Sequence, residues 1–67
     1  MDSDYVFKFY GSVVLVEPKS DSARTHLEEH VDSEAQWFGG SLVVEPRYVE
    51  SLAGQLRQDG FTPTRAF

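Results

Sequence analysis

Phe9-Tyr10-Gly11-Ser12-Val13-Val14-Leu15-Val16-Glu17-Pro18 returns, shifted by 28 positions and without a gap, as Trp37-Phe38-Gly39-Gly40-Ser41-Leu42-Val43-Val44-Glu45-Pro46. Each copy runs from an aromatic pair through glycine and an apolar stretch to Glu-Pro. Everything about the architecture turns on the glycines. Gly39-Gly40 can take positive φ at no steric cost and lies between two runs of β-forming residues, a strong hairpin signal. Gly11 has two readings. As a bulge it leaves Tyr5 to Val16 as one long strand, interrupted but not reversed. As a turn, Gly11-Ser12 closes a hairpin.

Taking Gly11 as a bulge, the first strand covers Tyr5 to Val16 and ends at Pro18. Ser20 or Asp21 supplies a cap for a helix from about Asp21 to Val31, with Ala23, Leu27 and Val31 forming a narrow apolar stripe. Asp32-Ser33 breaks that pattern, and Glu34 to Phe38 and Ser41 to Glu45 form a hairpin across Gly39-Gly40. Pro46 suits the first turn of a second helix, which covers about Pro46 to Gln58 and turns Tyr48, Val49, Leu52, Ala53 and Leu56 to one side. Gly54 weakens that helix by roughly 1 kcal/mol relative to alanine, and either marks a close approach by another element or is simply tolerated. Asp59-Gly60 ends the helix, and Phe61 to Phe67 forms a last strand that Pro63 confines to a sheet edge. The order strand, helix, strand, strand, helix, strand is the ferredoxin-like βαββαβ plan, an antiparallel sheet with both helices on one face. The alternative, with both glycine sites as turns, is two ββα hairpin-plus-helix repeats. Pairing of Phe9 and Tyr10 with Val13 and Val14 would select the alternative.

The 67 residues form one domain, near the lower limit for a core without staples. There is no cysteine, which excludes disulfides, thiolate metal sites and cysteine nucleophiles and favours a reducing, cytoplasmic setting. The acidic start Met1-Asp2-Ser3-Asp4 carries no export signal, and no apolar run approaches the roughly 20 residues of a membrane helix. Eleven acids against six bases give a net charge of −5, which argues against the basic footprint of a nucleic-acid binder.

Few residues carry recognisable chemistry. His26-Leu27-Glu28-Glu29-His30 satisfies H-x-x-E-H, two histidines one helical turn apart with a glutamate between them. A metal site needs a third ligand and supporting groups, and the sequence names none, so no metal or cofactor is expected. No serine sits in a G-x-S-x-G elbow, and Gly39-Gly40 lacks the pattern of a phosphate loop. Glu17 and Glu45 end equivalent strands; in the ferredoxin-like plan they are neighbours able to shift each other's pKa, though strand-to-helix punctuation explains them as well. No catalytic residue emerges, and an enzyme is not expected.

The apolar residues of the central strands point to an interaction. Val14, Val16, Leu42 and Val44 share one face of the central strands while Leu15 and Val43 share the other, and two helices cover only one. The uncovered face must meet a second subunit or a partner, or remain an exposed apolar patch. The residues expected at that contact are Val14, Val16, Trp37, Leu42 and Val44, joined by Arg47 and Tyr48 at the start of the second helix as types enriched in binding hot spots. The expected function is a small acidic, non-catalytic protein-interaction or regulatory module, a homodimer or hetero-complex through its sheet. The alternatives are single-stranded nucleic-acid binding on an aromatic sheet face and a small metal- or ligand-binding protein.

Gly11-Ser12 with Val16-Glu17-Pro18, the segment Ala23-Arg24-Thr25-His26-Leu27-Glu28-Glu29, and Gln36-Trp37-Phe38-Gly39-Gly40 with Val44-Glu45-Pro46-Arg47-Tyr48-Val49 together resemble a group of small uncharacterised proteins of bacteria, phages and plasmids. The resemblance spans most of the chain and brings no catalytic residue with it. It implies an accessory role of the kind encoded on mobile elements.

Overall fold

The computed structural model describes residues 3–31 and 35–66. Five strands and two α-helices follow one another as β1 (Tyr5–Tyr10), β2 (Val13–Pro18), α1 (Asp21–His30), β3 (Trp37–Phe38), β4 (Ser41–Val44), a 3-10 turn (Pro46–Tyr48), α2 (Val49–Gln58) and β5 (Pro63–Ala66). The strands make one mixed sheet in the order β3-β4-β2-β1-β5. The class is α+β, but the order is not ferredoxin-like.

The correction comes from Gly11. Its φ of 74° turns the chain back on itself, so that Phe9 faces Val14 and Tyr10 faces Val13 in an antiparallel hairpin. Only Gly11 of the two turn residues has positive φ, the pattern of a II′ turn, whereas Gly39 and Gly40 both have it, the pattern of I′. Both turns match the right-handed twist of the strands they join, so two ββα units result in place of two βαβ units. A fifth strand then returns along β1, in parallel, with Tyr5 beside Pro63 and Lys8 beside Ala66. Pro63 lies at the sheet edge, as expected of a residue with no N–H to donate.

The two repeat copies are neighbours, as the sequence suggested, and run antiparallel: Val14 faces Val44, Leu15 faces Val43 and Val16 faces Leu42. The departure from a ferredoxin-like sheet lies in the order and connection of the strands, not in the direction of this central pair. The antiparallel register sends Glu17 and Glu45 to opposite ends of the pair, so the expected carboxylate neighbours do not meet. Each finds a cation instead, Glu17 with Lys8 at 3.1 Å and Lys19 at 3.7 Å, and Glu45 with Arg47 at 3.5 Å.

Ser20 caps α1 by accepting from the Ala23 N–H at 3.1 Å, and Ala23 and Leu27 bury the apolar stripe. The 3-10 turn begins at Pro46, so α2 proper starts at Val49 and buries Val49, Ala53 and Leu56. Nothing lies within 4 Å of a Cβ at Gly54, so that glycine marks no close approach. At the end of α2 the Gly60 N–H donates to Arg57 and the Phe61 N–H to Leu56, a Schellman stop with Gly60 at φ 89°. Helix residues and the sheet residues Tyr5, Phe7, Val14, Val16 and Leu42 form one core. Tyr5 reaches through it to donate its hydroxyl to the Ala23 carbonyl at 2.7 Å. The expected break at Asp32-Ser33, the strand start at Glu34, the strand end at Phe67 and the first residues Met1-Asp2 lie outside the described residues.

Candidate interaction face

Alternation along each strand divides the sheet into two faces. On β2, Val14, Val16 and Pro18 are buried while Val13, Leu15 and Glu17 are only half-buried. On β1, Tyr5 and Phe7 are buried, whereas Val6 and Lys8 are half-buried and Tyr10 is exposed. The helices therefore lie on the even side of β2 and the odd side of β1. Cross-strand register extends the opposite face through Lys8, Leu15 and Val43 in one row.

This reverses part of the sequence reading. Val14, Val16 and Leu42 were expected at a partner contact, but they are 0, 0 and 3% exposed and belong to the core beneath the helices. Val44 is half-buried and packs against that same core. Burial, not binding, explains their apolar character. The apolar residues left uncovered are Leu15 and Val43, which the sequence placed on the other face, together with Val13, Tyr10 and Phe38. These five line one shallow depression. Tyr10 is 59% and Phe38 69% exposed, and both line this depression.

Reading Gly11 as a bulge hides Tyr10, whereas Phe38 escapes because alternation does not say which face the helices cover. A signal was available: both precede a glycine turn, and they occupy the same position of the repeat, 10 and 38. Trp37 faces Leu42 and so lies on the helix-side face at the sheet edge, partly exposed. Arg47 and Tyr48 form a separate surface feature. The Arg47 guanidinium lies 4.9 Å from the centre of the exposed Tyr48 ring, and neither residue lines the five-residue depression.

At the polar margin of the open face, the Lys8–Glu17 hydrogen bond raises the Lys8 pKa and lowers that of Glu17. Both groups stay charged at neutral pH, and both lie near solvent. Polar, paired residues around an apolar centre are the general layout of a protein interface.

No helix among the described residues is long and apolar enough to cross a membrane. No protein-family model, no curated protein and no solved structure matches this chain.

Proposed function

We propose that this chain is a small, non-catalytic protein-interaction module that pairs with a second copy of itself through the open face of its sheet. The observation that carries the reading is the uncovered apolar cluster Tyr10, Val13, Leu15, Phe38 and Val43, on the side of the sheet away from both helices. In a monomer of this size such a cluster leaves apolar area in water that sheet-on-sheet packing, at a spacing of about 10 Å, would remove.

The choice of a second copy rests on how the face is built. Tyr10 and Phe38 are equivalent positions of the repeat, and so are Leu15 and Val43. The face thus presents the same chemistry twice, aromatic at its flanks and aliphatic at its centre. A symmetric dimer asks for a patch that complements itself. The five residues are uncharged, so the net charge of −5 is kept out of the contact itself.

Exposed Tyr10 and Phe38 favour one other reading, the stacking of single-stranded bases on the sheet. Such platforms work with a positive groove, whereas here Lys8 is tied to Glu17. Isotope-filtered NOEs between labelled and unlabelled chains test the proposal. Intermolecular contacts at Leu15, Val43, Tyr10 and Phe38 support it. Their absence at millimolar concentration, with shifts at those residues on adding oligo-dT at low salt, supports the nucleic-acid reading instead.

A further inference from the structure

We propose that His26, His30 and Asp59 form a binding site for a divalent transition-metal ion of the zinc class, joining the C-terminal ends of the two helices. What the histidine pair lacked in the sequence was a third ligand, and the fold supplies it from 33 residues away. Asp59 Oδ2 lies 2.8 Å from His26 Nε2. One donor atom from each of His26, His30 and Asp59 falls within 4.8 Å of the others. Two imidazoles and a carboxylate are a donor set suited to zinc and its neighbours, not to the all-oxygen shells of magnesium or calcium.

The surroundings hold the ligands in place. Asp59 is the C-cap of α2, fixed by the Schellman stop that follows it, and Gln55 Nε2 donates to its two oxygens at 3.3 and 3.5 Å. The His26 ring lies 4.7 Å from Phe61 on one contact and 5.2 Å from the His30 ring on another, the two imidazoles stacked at 29°. The His26 and Asp59 side chains are only 26% and 25% exposed, which shields part of the site from water. His30 ends α1 and Asp59 caps α2, so the carbonyl ends of two helices converge here, where their dipoles favour positive charge.

With zinc–ligand bonds of about 2.0–2.1 Å, tetrahedral donors lie roughly 3.3 Å apart. The His26–Asp59 pair must open by about half an ångström from its hydrogen bond to reach that spacing. His30 must swing inward, which its exposed position at the helix end permits. The cation then takes the place of the hydrogen-bond proton between Nε2 and Oδ2, and water fills the fourth position. The site lies on the helix layer, so it stands or falls independently of the sheet-face dimer.

The test is zinc chloride titrated into the untagged, chelator-stripped chain, followed by calorimetry and thermal melting. One saturable site per chain is expected, with Tm rising by roughly 10–20 °C at a hundredfold excess over Kd. Magnesium chloride should give no shift. His30→Ala removes an exposed ring and leaves the core untouched, so it should fold normally and lose the response; Asp59→Asn should weaken binding at least tenfold. Wild-type zinc affinity in a folded His30→Ala chain, or the absence of saturable binding by the parent chain, would overturn the site.

Discussion

Leu15 and Val43 face each other across the central strand pair, and they are also each other's counterpart in the internal repeat. A repeat whose counterparts pair directly has a local two-fold axis at that point. The flanking pairs agree, since Val14 faces Val44 while their counterparts, Leu42 and Val16, face each other. The molecule is therefore two ββα units joined edge to edge, with β5 added at the outer edge of the first. The axis emerges on the open face, between the two aliphatic residues that we place at the centre of the interface.

Adjacent residues of β2 should respond in opposite ways to a charge. Val14→Glu puts an unpaired carboxylate into the core, a penalty of several kcal/mol against a total stability of roughly 3–10 kcal/mol for a domain this size. The chain should be unfolded by circular dichroism. Leu15→Glu points to the open face and should keep native spectra, with a Tm within a few degrees of that of the parent diluted until it is a single chain. Equal unfolding by both would show that the faces are wrongly assigned.

The turns should discriminate between side chains. Gly11 is at φ 74°, so Gly11→Val should cost about 1–2 kcal/mol through backbone strain alone, read as a lower urea midpoint at unchanged m-value. Gly39, in an I′-type turn at φ 57°, should accept Asn with a loss of only a few tenths of a kcal/mol. Nothing lies within 4 Å of a Cβ at either position, so the difference reports conformation and not a clash.

Tyr5 gives stability an alkaline limit. Burial, helped by the nearby Asp4 and Asp59 carboxylates, pushes its phenol up to about 12. The unfolded phenol titrates near 10, so between about pH 10 and 12 the folded state holds the proton more often. Tyr5 thus contributes fully below about pH 10, and its contribution fades as pH rises towards 12. Tyr5→Phe loses the bond to the Ala23 carbonyl, at about 1 kcal/mol, and should show a shallower fall in Tm from pH 9 to 11. Parallel falls in both chains would mean that other groups carry the alkaline loss.

Leu27 is fully buried where α1 meets the sheet. Leu27→Ala should cost about 2–5 kcal/mol, much of the total for so small a domain. Thermal melting should show a Tm drop well above 10 °C, and a drop of a degree or two would contradict the placement of α1.

Local chemistry was legible wherever one residue type decides one geometry. Ser20 capping α1, Pro46 opening a helical turn, Gly60 stopping α2 and Pro63 at an edge all follow from backbone rules that act within a few residues. Topology was not, because Gly11 satisfies a bulge and a turn equally well, and only the long-range pairing of Phe9 with Val14 distinguishes them. The face assignment failed for the same reason. With apolar residues on both sides of β2, alternation separates two sets but does not say which one the helices cover. Asp59 was invisible as a partner of His26 because the contact is made by the packing of α2 beside α1, not by spacing.

The solution mass of the chain, measured by sedimentation equilibrium across a concentration series beside Leu15→Glu, tests the interface most directly. The account predicts twice the chain mass of 7.6 kDa for the parent and a folded single-chain mass for the variant. A parent that remains a single chain at high concentration, or a variant that dimerises as well as the parent, would contradict it.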